Sequence, residues 1–220
     1  MQANSRPVSS SQRQVHRDLQ RQVRRHLGSD WRRPPHSLTS AVRDAMAAAL
    51  ARGKPIVMDS FCGTGHSTRQ LAGDYPDCTV IGVDKSASRL ARHGDGSGGN
   101  YLLLRARCEE VWAWLVDHGI RLRAHYLLYP NPWPKPAQLK RRVHGHPAFP
   151  LLVRIGGSLE MRCNWQTYAE EFGIALAIAG QQPVVSVVPG GEPLSLFERK
   201  YRYSGHTLWR CTAQVTCHGE

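Results

Sequence analysis

The stretch Ile56-Val-Met-Asp-Ser-Phe-Cys-Gly-Thr-Gly65 decides the fold of this chain. Its first three residues predict a short buried strand, and its two glycines precede a helix pattern over residues 66–73. In a doubly wound sheet, such a junction of strand, loop and helix is where a ligand approaches backbone amides. The stretch therefore predicts an α/β protein with a ligand loop at Gly63 and Gly65.

Strand and helix patterns alternate on both sides of this loop. The β-α-β order is typical of a doubly wound, mostly parallel sheet. A connection rich in glycine, over residues 94–99, is predicted to lack regular structure. Further strands are predicted at residues 79–83, 101–104, 126–129, 158–161 and 184–188, and further helices at residues 38–52, 109–118 and 165–179.

The chain has 220 residues, enough for one sizeable core, and a formal charge of +12 at pH 7. No apolar stretch approaches the roughly 20 residues that span a bilayer, so the sequence argues against a membrane-embedded protein. A basic excess of this size is expected of proteins that bind polyanions, and nucleic acid is the first partner to consider.

The six cysteines form no Cys-x-x-Cys pair and no Cys–His pattern with zinc-finger spacing, so we expect no structural metal. The first residues are polar and basic and contain no apolar core of a signal peptide. We therefore expect reduced thiols and a location in the cytoplasm.

Residues 1–36 hold eight arginines against two aspartates, a local charge of +6. Aliphatic residues recur at every fourth position from Val15 to Leu27, which predicts a helix over residues 11–27. Two interpretations of this basic arm remain open: a solvated tail beside a main domain of residues 37–220, or an arm that contacts phosphates. A helix on a membrane surface fits less well because the apolar stripe is thin.

A second acidic residue, Asp84, ends the next predicted strand, where a carboxylate is able to accept both hydroxyl protons of a ribose. Asp59 leads into the glycine loop and would repel a phosphate, but it suits a ligand with an ammonium and a sulfonium. A nicotinamide site would need a third glycine where this chain has Thr68. The glycine loop alone is also compatible with a plain tight turn. Together, Asp59, Gly63, Gly65 and Asp84 resemble the cofactor site of class I S-adenosylmethionine-dependent methyltransferases.

The segment Tyr129-Pro-Asn-Pro-Trp-Pro-Lys135 follows the fourth predicted strand. Its three prolines fix the backbone and remove hydrogen-bond donors. At the carboxyl end of a central strand, the segment would form a wall of the active site and direct Asn131 and Lys135 at a methyl acceptor. A purely structural loop is the alternative.

Three ordered blocks over residues 38–210 resemble the bacterial tRNA (guanine-N7)-methyltransferases. The first hallmark of that family is Pro-Asp-Pro-Trp-x-Lys followed by Lys-Arg-Arg, and this chain has the loop just described followed by Lys140-Arg-Arg142. The second is Thr-Asp-x-x-x-Tyr-Ala, similar to Cys163-Asn-Trp-Gln-Thr-Tyr-Ala169. The third is Thr-x-Phe-Glu before a basic residue and a closing strand, similar to Ser195-Leu-Phe-Glu198 and the residues up to Trp209.

The resemblance implies transfer of a methyl group from S-adenosylmethionine to guanine N7 in the variable loop of tRNA. Guanine N7 carries a lone pair and no proton, so the reaction needs positioning and charge stabilisation but no general base. Asn131 and Lys135 match the positions implied for catalysis. The positions implied for the cofactor are Asp59, Phe61, Gly63, Gly65, Asp84, Cys108 and Asn131, and those implied for the acceptor are Lys135, Lys140, Arg141, Asn164, Tyr168, Ser195 and Glu198.

The chain departs from the family pattern where the acceptor is expected. Asn131 and Asn164 replace two aspartates, which keeps an acceptor oxygen but loses the charge. Ser195 replaces a threonine, Gln138 a frequent histidine, and Arg107 an acid expected near the adenine, for which Cys108, Glu109 or Glu110 are substitutes. Three hypotheses follow: methylation of tRNA guanine N7, methylation of a small heterocyclic molecule on the same fold, or RNA binding without catalysis. The oligomeric state stays open.

Several side chains are assigned to packing or solvent. On the helix predicted over residues 109–118, we expect Trp112 in the core and Trp114 partly exposed. His144 and His146 are expected to be solvated, with phosphate contact as the alternative. We expect the Lys140-Arg-Arg142 run to contact an RNA backbone, with a solvated helix face as the alternative.

Overall fold

The computed structural model describes residues 4–32, 38–93 and 98–216, so part of the predicted connection over residues 94–99 and of the basic arm lies outside the described residues. The strands are β1 Ile56–Ser60, β2 Thr79–Asp84, β3 Tyr101–Arg105, β4 Ala124–Leu128, β5 Gly157–Cys163, β6 Val184–Val187 and β7 Trp209–Val215. The helices are α1 Leu19–Leu27, α2 Ser40–Leu50, α3 His66–Asp74, α4 Ala87–Leu90, α5 Cys108–Asp117, α6 Phe149–Ile155, α7 Gln166–Ile178 and α8 Leu196–Tyr203, with short 3₁₀ turns at Ala91–His93, Pro136–Arg141 and Val143–Gly145.

All seven strands form one sheet in the order β3-β2-β1-β4-β5-β7-β6. The first five in this order are parallel to one another, and β7 runs antiparallel to both β5 and β6. The prediction of a doubly wound, mostly parallel sheet is therefore confirmed. Strand order reverses beside β1, so the carboxyl ends of β1 and β4 flank the point where such sheets bind ligands.

The sheet is central because its inner strands are buried on both faces. Every residue of β1 and of β2 is buried, as expected for parallel strands covered by helices on both sides. Trp112 of α5 is buried and Trp114 is partly exposed, which confirms both expectations. Among the helices in the described ranges, none is both long and apolar enough to cross a membrane.

Residues 4–32 pack onto the domain, in contrast to the solvated tail that was one of the two interpretations of the basic arm. Its helix begins at Leu19, not at residue 11, and the side chains of Leu19 and Val23 are fully buried in the main core. Ahead of the helix, Ser10 donates a hydrogen bond to the carbonyl of Pro134. The five arginines at positions 13, 17, 21, 24 and 25 are exposed, so phosphate contact by this segment stays a prediction.

A buried ion network joins this segment to α7. Glu171, which has no exposed surface, pairs with Arg142 and accepts a hydrogen bond of 2.9 Å from His144 Nε2. Gln12 Nε2 and the backbone N–H of His16 donate to its other oxygen over 2.6 and 2.8 Å. Two expectations are therefore wrong: His144 is not solvated, and Arg142 does not face an RNA backbone. Both side chains are buried and bind the carboxylate of Glu171.

Candidate functional site

A cavity of about 280 Å³ opens at the carboxyl ends of the five parallel strands. Segments that follow each of these strands form its wall. Six of the residues proposed from the sequence come together in that wall: Phe61, Asp84, Cys108, Asn131, Arg141 and Asn164.

The turn after β1 is fastened to the end of β2. Gly63 N–H donates to Asp84 Oδ2 over 3.0 Å, and the N–H of Cys62 donates to the carbonyl of Val83. Phe61 N–H donates to the sulfur of Cys108, whose pKa burial raises well above its ordinary value. Cys108 is thus a neutral thiol that anchors the turn at the start of α5.

The two glycines of the turn serve different purposes. A Cβ on Gly63 would meet nothing within 4 Å, so this backbone borders open space that a ligand is able to use. A Cβ on Gly65 would lie 2.5 Å from Leu103 Cδ1, and Gly65 is the left-handed residue that precedes α3. Gly65 is therefore required by packing, whatever the ligand.

Asp59 is the penultimate residue of β1 and has no exposed surface. Its Oδ2 accepts hydrogen bonds of 2.7 Å from Ser67 and from Thr68, whereas its Oδ1 has no partner within the described part of the chain. Burial raises the pKa of this carboxyl to about 6. An unpartnered buried acceptor is costly, so the position suits a ligand that brings a donor or a positive charge.

Asp84 is the acidic group of the cavity wall. Besides the Gly63 bond, its Oδ1 accepts from Ser86 N–H over 2.8 Å and from the Arg89 guanidinium over 3.1 Å. Arg89 also lines the cavity, although it was not predicted as a site residue from the sequence. Its place in α4, five residues after Asp84 at the end of β2, could have predicted that it lies near the ligand.

Strained backbone surrounds the cavity. Phe61, Tyr129 and Trp133 have φ values of 64°, 55° and 45°, and they are the non-glycine residues with positive φ in the described ranges. All three line the cavity. Such a conformation costs about 1–3 kcal/mol per residue and tends to be retained where function requires it.

The proline-rich loop is held in this strained shape from two sides. Arg142 Nε donates to the Trp133 carbonyl over 3.1 Å, and Tyr129 N–H donates to the Arg162 carbonyl over 2.8 Å. The Arg141 guanidinium lies 4.9 Å from the centre of the Trp133 ring. The loop is therefore preorganised by the buried network on one side and by β5 on the other.

Lys135 and Lys140 lie outside the cavity wall. Lys135 is exposed, and its backbone N–H donates to Gln138 Oε1 over 3.1 Å at the start of the Pro136–Arg141 turn. Lys140 is exposed on that turn. Contacts of either residue with an acceptor stay predictions.

The remaining acceptor residues have partners within the protein. Ser195 caps α8 by accepting a bond of 3.1 Å from Glu198 N–H. The buried carboxylate of Glu198 pairs with Arg162 and Arg202 at 2.9 and 2.7 Å. Tyr168 is buried, and its hydroxyl accepts from Val143 N–H over 3.1 Å, so the structure gives Tyr168 a packing role in place of the expected tRNA contact.

Helix α8 contributes two residues to the cavity that were not predicted from the sequence, Phe197 and Tyr201. We call these two residues, with the predicted Asn164 that follows β5, the outer wall of the cavity. The spacing of four residues between Phe197 and Tyr201 on one helix was a detectable signal. Four basic side chains also line the cavity: Lys85, Arg89, Arg107 and Arg141. No group of three or more metal-ligating side chains occurs in residues 4–32, 38–93 and 98–216.

Comparison with known proteins links this chain to methyl transfer. A family model described as "Putative methyltransferase" matches residues 53–185, more than half of the chain. The chain is 30% identical to the tRNA (guanine-N(7)-)-methyltransferase of Pseudomonas aeruginosa (strain PAO1), over 84% of this chain and 80% of that protein. It is 28% identical to the protein of the same name from Aeromonas hydrophila, over 74% of each chain.

Solved structures share the fold at lower identity. The antibiotic-resistance methyltransferase Kmr superposes with a TM-score of 0.56 at 20% identity, covering 84% of this chain and 97% of Kmr. A mutant of the 16S rRNA (adenine(1408)-N(1))-methyltransferase from Catenulisporales acidiphilia, solved with the cosubstrate SAM, superposes with a TM-score of 0.58 at 22% identity, covering 84% of this chain and 96% of that protein.

Proposed function

Because this chain belongs to the family of tRNA (guanine-N(7)-)-methyltransferases, we propose that it transfers the methyl group of S-adenosylmethionine to N7 of a guanine in tRNA. The family resemblance expected from the sequence is confirmed, and the chain is a methyltransferase. We place the reaction in the cytoplasm, where tRNA is modified.

One observation carries the proposal. The strained proline-rich loop lines one cavity together with Phe61 of the glycine turn and with Asp84, the strand-end carboxylate to which that turn is fastened. A methyl transfer needs two reactants in line at short distance, so most of the catalytic effect comes from positioning. Two rigid walls at the strand ends supply that positioning.

The residues at the ends of β1 and β2 fit S-adenosylmethionine. Phe61, Asp84 and Cys108 line the cavity, and Asp84 provides a carboxylate for a ribose. Asp59 and Gly63 belong to the same segment as Phe61 without lining the cavity; Asp59 has an unpartnered oxygen suited to a cationic ligand, and Gly63 leaves open space beside its backbone. When bound, the cofactor supplies a methyl group on a positively charged sulfur.

The basic side chains of the cavity wall fit a nucleic-acid acceptor. Lys85, Arg89, Arg107 and Arg141 line the cavity, and guanidinium groups bind phosphates well. Guanine N7 needs no base, so this chain has only to orient the purine and stabilise the charge that develops on it. Asn131 and Glu109 line the cavity, and we assign this role to the amide oxygen of the first and the carboxylate of the second.

The proposal is tested by incubating the protein with methyl-labelled cofactor and total tRNA. We expect label in tRNA and chain cleavage at the methylated guanine after borohydride reduction and aniline treatment, which detect 7-methylguanosine. Asp84→Ala should weaken cofactor binding at least about tenfold, since hydrogen bonds to a charged group are lost. Asp74→Ala, at the exposed end of α3, is the matched control. Absence of label from tRNA contradicts the proposal.

A small heterocyclic acceptor is the second candidate, favoured by the neutral amides of Asn131 and Asn164 in the cavity wall. Asn131→Asp separates the two. A carboxylate should raise tRNA methylation at least about tenfold if a cationic purine forms beside it. If the acceptor is a heterocycle that needs the amide donor, the same change should lower turnover on small molecules from a cell extract.

A further inference from the structure

An aromatic column lies on the outer wall of the cavity. The rings of Phe197 and Tyr201 stack with centroids 6.1 Å apart and planes inclined by 26°. Tyr201 in turn stacks on His206 at 5.2 Å and 13°. Phe197 is 47% exposed although it is a large apolar side chain. An exposed ring at the end of such a column, beside a cavity, is a surface on which another planar group is able to stack.

The column also fixes the side chain of Asn164. The Nδ2 amide group of Asn164 donates to His206 Nδ1 over 3.2 Å. The opposite ring nitrogen of His206 donates to the carbonyl of Ser5 over 3.0 Å. One nitrogen of a neutral imidazole accepts and the other donates, so the two bonds are mutually consistent.

The bond to His206 determines whether the amide nitrogen or the amide oxygen of Asn164 is available to a ligand. An asparagine side chain is able to present a donor or an acceptor. His206 takes the donor end, and Asn164 Oδ1 has no partner in the described part of the chain. Because Asn164 lines the cavity, the wall offers a hydrogen-bond acceptor there.

We propose that the acceptor guanine stacks on Phe197 and that His206 is a positioning residue, which holds Asn164 so that its Oδ1 accepts from the guanine N1–H and N2–H₂ groups. The proposal rests on the proposed function and deepens it. These donors lie across the purine from N7, so an acceptor that binds them leaves N7 free to face the methyl donor. Stacking on an exposed ring requires an unpaired base, as in a tRNA loop.

The orientation of Asn164 is tested with synthetic tRNAs that carry guanosine or inosine at the methylated position, since inosine lacks the N2 amino group. For wild-type protein, kcat/KM should be at least about tenfold higher for guanosine than for inosine. Inosine has no N2 amino group, so Asn164 Oδ1 loses one hydrogen bond. His206→Ala should reduce this ratio to threefold or less. The double variant His206→Ala with Asn164→Asp should restore it, since a carboxylate presents an acceptor in either orientation.

Stacking is tested separately. Phe197→Leu keeps an apolar side chain but removes the ring, and it should raise KM for tRNA about fivefold or more while kcat changes less. Phe197→Tyr should retain the wild-type KM. Tyr203→Leu, an exposed residue of the same helix that does not line the cavity, is the matched control.

The ratio is measured within each protein, so a general loss of stability or of cofactor binding does not move it. Tenfold preference for guanosine in both wild type and His206→Ala overturns the role of His206, and an unchanged KM in Phe197→Leu overturns the stacking. Either result would leave methylation of tRNA intact. Failure of wild-type protein to label tRNA is instead the failure of the proposed function, and the inference fails with it.

Discussion

Asp59 and Glu171 are both carboxylates without exposed surface, and their surroundings are opposite. Glu171 is surrounded by donors and by the Arg142 guanidinium, and both of its oxygens are occupied. Asp59 has two hydroxyl donors on one oxygen and none on the other within the described residues. The pKa of Glu171 is lowered to about 2 and that of Asp59 is raised to about 6.

The opposite pKa shifts distinguish a carboxylate that stabilises the fold, Glu171, from one that we assign to the ligand site, Asp59. Burial raises the pKa of both carboxyl groups, but the bonds from His144 and the charge of Arg142 reverse the effect at Glu171. At Asp59 the two hydroxyl bonds do not offset burial. A satisfied buried charge fixes the shape of the protein, whereas an unsatisfied one marks a place where a ligand completes the interactions.

Replacing Glu171 should have the largest effect. Glu171→Gln leaves the buried Arg142 without its counter-charge, which typically destabilises a protein by about 3–5 kcal/mol. The free energy of unfolding from urea denaturation measures the change. Glu170→Gln, next to it on α7 and bonded at the surface to Gln166, should stay within about 0.5 kcal/mol of wild type. A loss below about 1 kcal/mol in Glu171→Gln would mean that the network does not hold the fold.

Acid should act on the same network. A carboxyl group whose folded pKa is depressed stabilises the protein above its ordinary pKa and loses that contribution as pH falls toward the folded value. The ordinary pKa is 4.5 and the folded pKa of Glu171 is about 2, so stability should fall between about pH 4.5 and pH 2. Thermal denaturation over that range should give a shallower pH dependence for Glu171→Gln than for wild type. Parallel curves for the two proteins would contradict the assignment.

The contrast also explains what the sequence made predictable. Strands β1 and β2 each contain a short apolar run that ends in an acidic or polar residue, so the sheet and its ligand edge followed from local pattern alone. Arg142 and His144 were misassigned because their burial depends on Glu171 and Gln12, which are distant in sequence. A basic residue looks the same in sequence whether it faces solvent or a buried carboxylate.

Short elements were the second source of error. Helices α6 and α8 have seven and eight residues, too few for a helical periodicity to be recognised. As a result, the aromatic column on α8 was absent from the predicted site, although its Phe197 lies within a recognised motif. The cofactor residues Gly63 and Asp84 were easier to predict from the sequence because they lie at the carboxyl ends of adjacent strands, which the sheet topology alone brings together.

Asp59 should give the opposite pH dependence at higher pH. A carboxyl group with a raised folded pKa binds its proton more tightly in the folded protein, so its contribution falls as pH rises from the ordinary value of 3.8 to about 6. Each pKa unit corresponds to about 1.4 kcal/mol. Asp59→Asn should abolish this decline, and Asp74→Asn should not. Urea denaturation at intervals between pH 4 and pH 7 measures it, and equal slopes in wild type and Asp59→Asn would refute the raised pKa.

The smallest expected effect is a fraction of a proton. At pH 6 the Asp59 carboxyl is about half protonated in the free protein, because its folded pKa is about 6. A cationic ligand beside Oδ1 lowers that pKa, so binding of S-adenosylmethionine should release up to roughly half a proton at pH 6 and almost none at pH 8. Calorimetric titrations in two buffers of different ionisation enthalpy give the number of protons released. In Asp59→Asn the release at pH 6 should disappear while binding itself is retained at reduced affinity. If wild type and Asp59→Asn release the same number of protons at pH 6, the cofactor does not complete the interactions of Asp59, and the raised pKa reflects burial alone.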